Sequence, residues 1–306
     1  MRHNIFRRVF IASLFTCVTC SRITIIRSLP VDSEIDPLGF DLHDNSMVAG
    51  VLLDLSGVIY VGSEPLPGAL EAVSRLRNIG LPLRFLTNTT RTPKRQILTN
   101  LHAMGLECGE DELFTPAQAA RDWLAAHKCK PNLLIHPNLQ EDFEGLAEFP
   151  GTAVVVGDAG EGFTFRALNT AFRTLVGGAE FIALAANRTF KDHDGELSLD
   201  AGAFVTALEF GSGKTATVLG KPAPEFFGGA LESMNVKAEE AVMIGDDAEA
   251  DVSGAIAAGI GAGLLVRTGK YVEGAESLVN PPPTATVDDI VKAVDWIEEK
   301  VAVPGL

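Results

Sequence analysis

The stretch Val51-Leu-Leu-Asp54-Leu-Ser56-Gly57 decides how this chain is read. It is apolar on both faces, ends on a carboxylate and turns sharply at Ser-Gly. A run of that kind suits a strand covered on both sides, as in a parallel sheet. Further runs at Leu83–Leu86, Leu133–Ile135, Ala153–Val156, Phe181–Ala185, Ala216–Leu219, Ala241–Ile244 and Gly263–Val266 repeat the pattern. Helical spacing lies between them. Leu70, Val73, Leu76 and Ile79 recur before Gly80, a residue suited to stopping a helix. Near the C-terminus, Val287, Ile290, Val291, Val294 and Ile297 follow the i, i+3, i+4, i+7 rule, with Thr286 and Asp289 resembling a capping box. Pro281–Pro283 reads as a short rigid linker ahead of that helix. The alternation predicts an α/β doubly wound parallel sheet, with ligands at the carboxyl ends of its strands.

The bulk properties narrow the function classes. The 306 residues carry a net charge of −15. Arg2, Arg7, Arg8, Arg22 and Arg27 all lie in residues 1–31, which hold no Asp or Glu, so the rest sets 20 basic against 40 acidic residues. A body so acidic repels nucleic acid and anionic membrane surfaces, and neither is expected as a partner. Val9–Cys20 is an uncharged run too short to span a bilayer, which takes about 20 residues. With its flanking arginines it suits a secretory or mitochondrial leader, whereas a start near Met47 implies the cytoplasm. Residues 1–46 are therefore set apart from the fold. Cys17-x-x-Cys20 falls inside that apolar run and lacks a partner pair, so it is not read as a metal or redox motif; Cys108 and Cys129 are isolated.

The expected strand ends share one chemistry. They run into Asp54-Leu-Ser56, Thr87-Asn88, Gly220-Lys221-Pro222 and Gly245-Asp246-Asp247, with Asp251 a helical turn later. Taken singly, each is an ordinary cap or turn residue. Together, in this order, they match what phosphoryl transfer needs: a nucleophile, neutralisation of the phosphate oxygens, and a metal between two anions. Asp54 is the candidate nucleophile, and with Asp246 it supplies carboxylates suited to Mg²⁺. Lys221 provides a compact cation, and Thr87 offers a hydroxyl beside the backbone N–H groups of its turn.

The segments LDLSGVIY (53–60), FLTNTT (85–90), FVTALEF (204–210), GKPAPEFF (220–227), EAVMIGDDAEADV (240–252) and RTGKY (267–271) resemble the haloacid-dehalogenase superfamily, subclass IIA, from Met47 to about Lys300. The resemblance implies a Mg²⁺-dependent phosphatase with an aspartyl-phosphate intermediate on Asp54. It implies metal ligation by Asp54, Asp246 and the Ser56 backbone carbonyl, with Asp247 acting through water and Asp251 orienting Lys221 or a metal-bound water. Phosphate would be held by Asp54, Leu55, Ser56, Thr87, Asn88 and Lys221. One departure bears on mechanism. Most phosphatases of the superfamily carry a second Asp two residues past the nucleophile as general acid and base; here it is Ser56, whose hydroxyl is too weak an acid for that role. Substrates whose leaving groups need little protonation are expected, such as pyrophosphate, or else slow turnover. The resemblance sets a phosphoramidate beside pyrophosphate; a nucleotide or sugar phosphate is the alternative substrate, and a non-catalytic regulatory protein is the alternative from another class.

The span from Thr87 to Lys221 is too long for one crossover. The resemblance reads residues 114–199 as a C2-type cap inserted between core segments 47–113 and 200–306, and it allows a homodimer formed through that cap. Asn187 and Arg188 are candidates for reaching the substrate from the cap. His127, His136 and His193 lack metal-ligand spacing. Gly211-Ser-Gly-Lys214-Thr215 mimics part of a phosphate-binding loop, but the full pattern needs Gly where Leu208 stands, so it is read as a flexible turn.

Overall fold

The structure, a computed structural model, describes residues 48–191 and 196–301. Residues 1–46, Cys17 and Cys20 among them, and His193 lie outside them.

The chain opens with strand β1 (Gly50–Asp54), the small hairpin β2 (Tyr60–Val61) and β3 (Glu64–Pro65), helix α1 (Ala69–Asn78), β4 (Leu83–Leu86), α2 (Lys94–Ala103) and β5 (Leu113–Phe114). Next come α3 (Pro116–Ala126), β6 (Cys129–Leu134), β7 (Gly151–Val156), α4 (Phe165–Val176), β8 (Glu180–Ala183), the hairpin β9 (Thr189–Lys191) and β10 (Leu197–Leu199), α5 (Ala201–Ser212) and β11 (Thr217–Val218). It closes with α6 (Pro224–Met234), β12 (Ala241–Gly245), a π-helical turn (Ala248–Ser253), α7 (Gly254–Ala257), β13 (Ala262–Val266), β14 (Ala285–Val287) and α8 (Ile290–Lys300).

Two parallel sheets organise the molecule. The core sheet runs β14-β13-β12-β1-β4-β5, and every residue of β1, β12 and β13 is buried. One face packs under α1 and α8, where Val73, Leu76, Ile290, Val294 and Ile297 share a cluster with Val51, Leu53 and Phe85. The other face, with Leu52 and Met243, is covered by Phe226 and Phe227 of α6. β1 is central: the chain winds out to β4 on one side and β12 on the other. Such a reversal leaves a crevice beyond the strand ends.

The cap sheet runs β11-β8-β7-β6, again parallel. It is larger than the 114–199 segment expected. β11 pairs with β8, α5 buries Val205 and Leu208 in the same cluster as Val154 and Phe181, and Leu219 packs with Leu184. The expected boundary at 199 thus falls inside this layer, because neither α5 nor the two-residue β11 gives a sequence sign of which sheet it joins.

Helix ends follow local chemistry. Gly80, at φ 81°, takes the left-handed conformation after α1 as expected, and its N–H bonds the Arg77 carbonyl. α8 starts later than expected: Asp289 caps it by accepting from the Lys292 N–H at 2.9 Å, while Thr286 and Val287 belong to β14. Pro281–Pro283 leads into that edge strand. Gly211 and Ser212 finish α5, Gly213 caps it at φ 70°, and the Lys214 ammonium donates to the Ala179 carbonyl, so this segment is a tied helix end instead of a flexible turn. No helix among the described residues is long and apolar enough to cross a membrane.

Candidate active site

β1, β4 and β12 lie side by side and end in the same direction, which brings Asp54, Thr87-Asn88 and Asp246 to one rim. Lys221 reaches that rim by another route. The strand before it, β11, belongs to the cap sheet, so the lysine sits on the chain's return crossing instead of at a core strand end, a correction to the sequence reading.

The side chain of Lys221 is 3% exposed, and its ammonium lies between two carboxylates: it contacts Asp54 Oδ1 and sits 2.6 Å from Asp251 Oδ1. Its backbone is pinned on both sides by one residue. Asn88 donates from Nδ2 to the Lys221 carbonyl and accepts the Lys221 N–H at Oδ1, each at 2.8 Å. The amide expected to hold phosphate is thus engaged in placing the lysine. Thr87 is buried, and its Oγ1 accepts from the Thr89 N–H at 3.2 Å, which leaves the hydroxyl proton for another acceptor. Ser56 is exposed, lines the cleft and bridges to Tyr60, while Leu55 is fully buried beneath.

Carboxylates crowd this rim. One oxygen each of Asp54, Asp246 and Asp251 lie within 4.8 Å of one another, and all three residues are buried. Burial pushes Asp54 up to about 7 against the pull of Lys221, with Asp251 and Asp246 adding to the rise. Burial and then Asp251 push Asp246 up to about 6. Burial opposes the charge on Lys221, but Asp251 and Asp54 hold the ammonium well above its ordinary value. Three carboxylates and one ammonium leave a surplus of negative charge out of water, so the donor set fits a hard divalent cation that takes oxygen ligands. Asp247 stands apart. It caps the π-helical turn by accepting from the Glu249 and Ala250 N–H groups, with the Lys270 ammonium 3.8 Å away.

Sequence reasoning assigned no role to the loop after β13. Lys270 donates its backbone N–H to Asp246 Oδ2 at 2.6 Å, and Thr268 donates its hydroxyl to the Gly57 carbonyl. Gly269, at φ 64°, lies so close that an added Cβ would stand 2.0 Å from Asp246 Oδ2 and 2.5 Å from Gly57 Cα. The signal was a glycine between two hydrogen-bonding residues just past a buried strand. Above the rim opens a cleft of about 1640 Å³, closed on the cap side by Asn187, Arg188, Thr189 and Phe190. Asn187 is tied to Asp200, the N-cap of α5, whose carboxyl is raised by burial. The histidines play other parts: His127 stacks on Trp123, and His136 caps a short turn.

A parallel core with a carboxylate–lysine–carboxylate array at its switch point and an inserted lid defines a class of phosphoryl-transfer hydrolases. The haloacid dehalogenase-like hydrolase model matches residues 51–147, and a second, HAD-hydrolase-like, model matches residues 218–293. Human haloacid dehalogenase-like hydrolase domain-containing protein 2 is 44% identical over 247 residues, 81% of this chain and 95% of that protein. Phospholysine phosphohistidine inorganic pyrophosphate phosphatase from Danio rerio is 40% identical over 256 residues, 82% of this chain and 94% of that one. Among solved structures, p-nitrophenyl phosphatase from Archaeoglobus fulgidus superposes with a TM-score of 0.75 at 25% identity, covering 82% of this chain and 99% of that one. The 4-nitrophenylphosphatase from Thermotoga maritima gives a TM-score of 0.75 at 24% identity, covering 83% and 98%. The chain belongs to the haloacid dehalogenase-like hydrolases and is a phosphatase of that family.

Proposed function

We propose that this phosphatase transfers a phosphoryl group from a small substrate to Asp54 and hydrolyses the resulting aspartyl phosphate, with Mg²⁺ as its cofactor. The observation that carries the reading is the Lys221 ammonium set between Asp54 and Asp251 in a buried group of three carboxylates. Lys221 draws Asp54 toward its anionic form against the effect of burial and fixes the rotation of its carboxylate. Attack of that carboxylate on phosphorus forms the Asp54 O–P bond as the bond to the leaving group breaks, and water then cleaves the acyl phosphate. The free Thr87 hydroxyl proton is a donor for a phosphate oxygen. Asp54, Asp246 and the Ser56 carbonyl are the groups to hold Mg²⁺, which when bound supplies charge neutralisation between nucleophile and phosphate. Asp251 positions Lys221.

Ser56 bears on the substrate. With no carboxylic acid at that position, the leaving group must depart with little help. Pyrophosphate, whose leaving group is phosphate, meets that condition, and so does a phosphoramidate, whose nitrogen is basic enough to take a proton from water. The name of the Danio rerio relative points the same way. The breadth of the cleft, well above the range of about 300–1,000 Å³ usual for ligand sites, favours a second reading, a nucleotide or sugar phosphate.

Phosphate release from pyrophosphate, a phosphoramidate and a series of aryl phosphates, with and without Mg²⁺, tests this for the full chain and its Asp54→Asn variant. Mg²⁺-dependent release that the variant lacks, with an acyl phosphate trapped on the Asp54 peptide, is the expected result. Release unchanged in the variant overturns the nucleophile. Rates on aryl phosphates that do not depend on leaving-group pKa overturn the role given to Ser56.

A further inference from the structure

Beside the phosphate-binding turn, a core residue outside the reaction scheme meets both the cap sheet and the cleft wall. Arg91 follows Thr87-Asn88 in the loop after β4. Its guanidinium forms a two-point pair with Asp158, Nε to Oδ2 at 2.5 Å and Nη2 to Oδ1 at 3.2 Å. Asp158 stands just past β7, the middle of the cap sheet, and is buried. It is bound from two further directions: its N–H donates to Thr90 Oγ1 at 3.1 Å, and its Oδ1 accepts from the Gly160 N–H at 3.0 Å. On its other side the same guanidinium lies over the ring of Phe190, 4.8 Å from the centroid. Phe190 lines the cleft together with Asn187 and Arg188.

Two backbone bonds hold the wall within the cap. The Asp200 N–H donates to the Arg188 carbonyl at 3.1 Å, and the Gly202 N–H to the Asn187 carbonyl at 3.0 Å. These bonds move with the cap. They fix the wall to α5. Arg91 ties the wall itself to the core through Phe190, and it belongs to the loop that also pins Lys221 through Asn88. We propose that Arg91 is a positioning residue: its fork on Asp158 and its face on Phe190 set the wall Asn187–Phe190 at a fixed height over the nucleophile, and so fix how the leaving-group half of the substrate is held. The proposal rests on the cleft being the substrate site of the phosphatase read above.

The chemistry of the pair makes it testable. A lysine keeps the charge but has neither the planar fork nor the flat face. In Arg91→Lys, the KM for an aryl phosphate is expected to rise about tenfold, the scale of a lost two-point pair and cation–π contact, with kcat changed less than about twofold. Inhibition by inorganic phosphate, which needs the core alone, stays unchanged. Phe190→Leu gives the same split, and the double variant is no worse than the worse single one. Amide exchange in β9 and β10 of the full-length protein gives a readout free of turnover: Arg91→Lys speeds it there and leaves β6 and β7 as they were. The proposal is overturned if kcat falls at constant KM, if phosphate inhibition weakens in step with KM, or if neither KM nor the exchange of β9 and β10 changes. Failure of the phosphatase reading is a different result, absence of Mg²⁺-dependent release by the unmodified protein, and the exchange measurement still decides the role of Arg91.

Discussion

β1 of the core and β7 of the cap are both inner parallel strands, and each leads to a buried aspartate, Asp54 at 6% exposure and Asp158 at 7%. Their surroundings differ. Asp158 meets one guanidinium in a two-point pair and accepts one backbone N–H, so its charge is balanced within the cap–core contact. Asp54 shares a single ammonium with Asp251 and has Asp246 beside it, so its charge is left over. The same residue after the same kind of strand is a joint in one sheet and a reactive centre in the other. The ratio of carboxylates to cations decides between them.

The largest test of that contrast exchanges each aspartate for asparagine. Asp54→Asn is expected to lower kcat by at least about 10³-fold, as loss of a nucleophile does. Asp158→Asn leaves kcat within about twofold under the same steady-state assay, since its place is in the cap–core contact and not the reaction. If both variants lose turnover alike, the distinction collapses.

Removing the cation comes next. Lys221→Met strands three buried carboxylates and is expected to cost about 3–5 kcal/mol in urea denaturation at pH 7 without metal. Arg91→Met, at a pair whose arginine is 37% exposed, costs about 1 kcal/mol or less after allowance for solvent screening. Equal losses would show that the surplus charge is not special to the core.

A subtler probe leaves every charge in place. Gly269→Ala forces a Cβ against Asp246 and onto a left-handed backbone. Calorimetric titration should show Mg²⁺ affinity lowered about 10–100-fold, the usual size of an effect on groups that orient a metal ligand. Gly145→Ala, also at positive φ but with nothing near its Cβ, leaves affinity unchanged.

The smallest effect is in pH. Asp54 and Asp246 have folded values raised to about 7 and about 6 from an ordinary 3.8. A carboxyl raised on folding contributes stability that is fully present below its unfolded value and is lost as pH rises through its folded value. Metal-free protein should therefore lose a few degrees of melting temperature to this site between about pH 4 and pH 7, beyond any loss seen in Asp54→Asn. Melting curves for the two that run parallel would mean that the site does not titrate in this range.

Each apolar run picked out in the sequence lies in or overlaps a strand, and those buried on both faces, β1, β12 and β13, are the ones that must be apolar throughout. Asp54, Thr87 and Asp246 follow such runs directly, and since each is an ordinary cap or turn residue alone, it was their occurrence in one order with Lys221 and Asp251 that made the candidate site legible. What escaped was set by partners distant in sequence. β5, at two residues, has no period to read, and Thr217–Val218 looks the same whichever sheet takes it. The engagement of Asn88 with Lys221 spans 133 residues of chain and that of Arg91 with Asp158 spans 67, and neither partner carries a mark of the other.

The route by which Lys221 arrives has a mechanical consequence. The cap joins the core by two chain crossings, between β5 and α3 and between β11 and α6, and the lysine sits on the second, three residues past β11. Any rocking of the cap therefore pulls along the segment that carries the charge closest to the nucleophile. The two bonds from Asn88 grip that segment just where it enters the core, like the clamp that keeps a tug on a cable from reaching the plug. Whatever strain reaches that crossing from the cap, the ammonium beside Asp54 stays where it is.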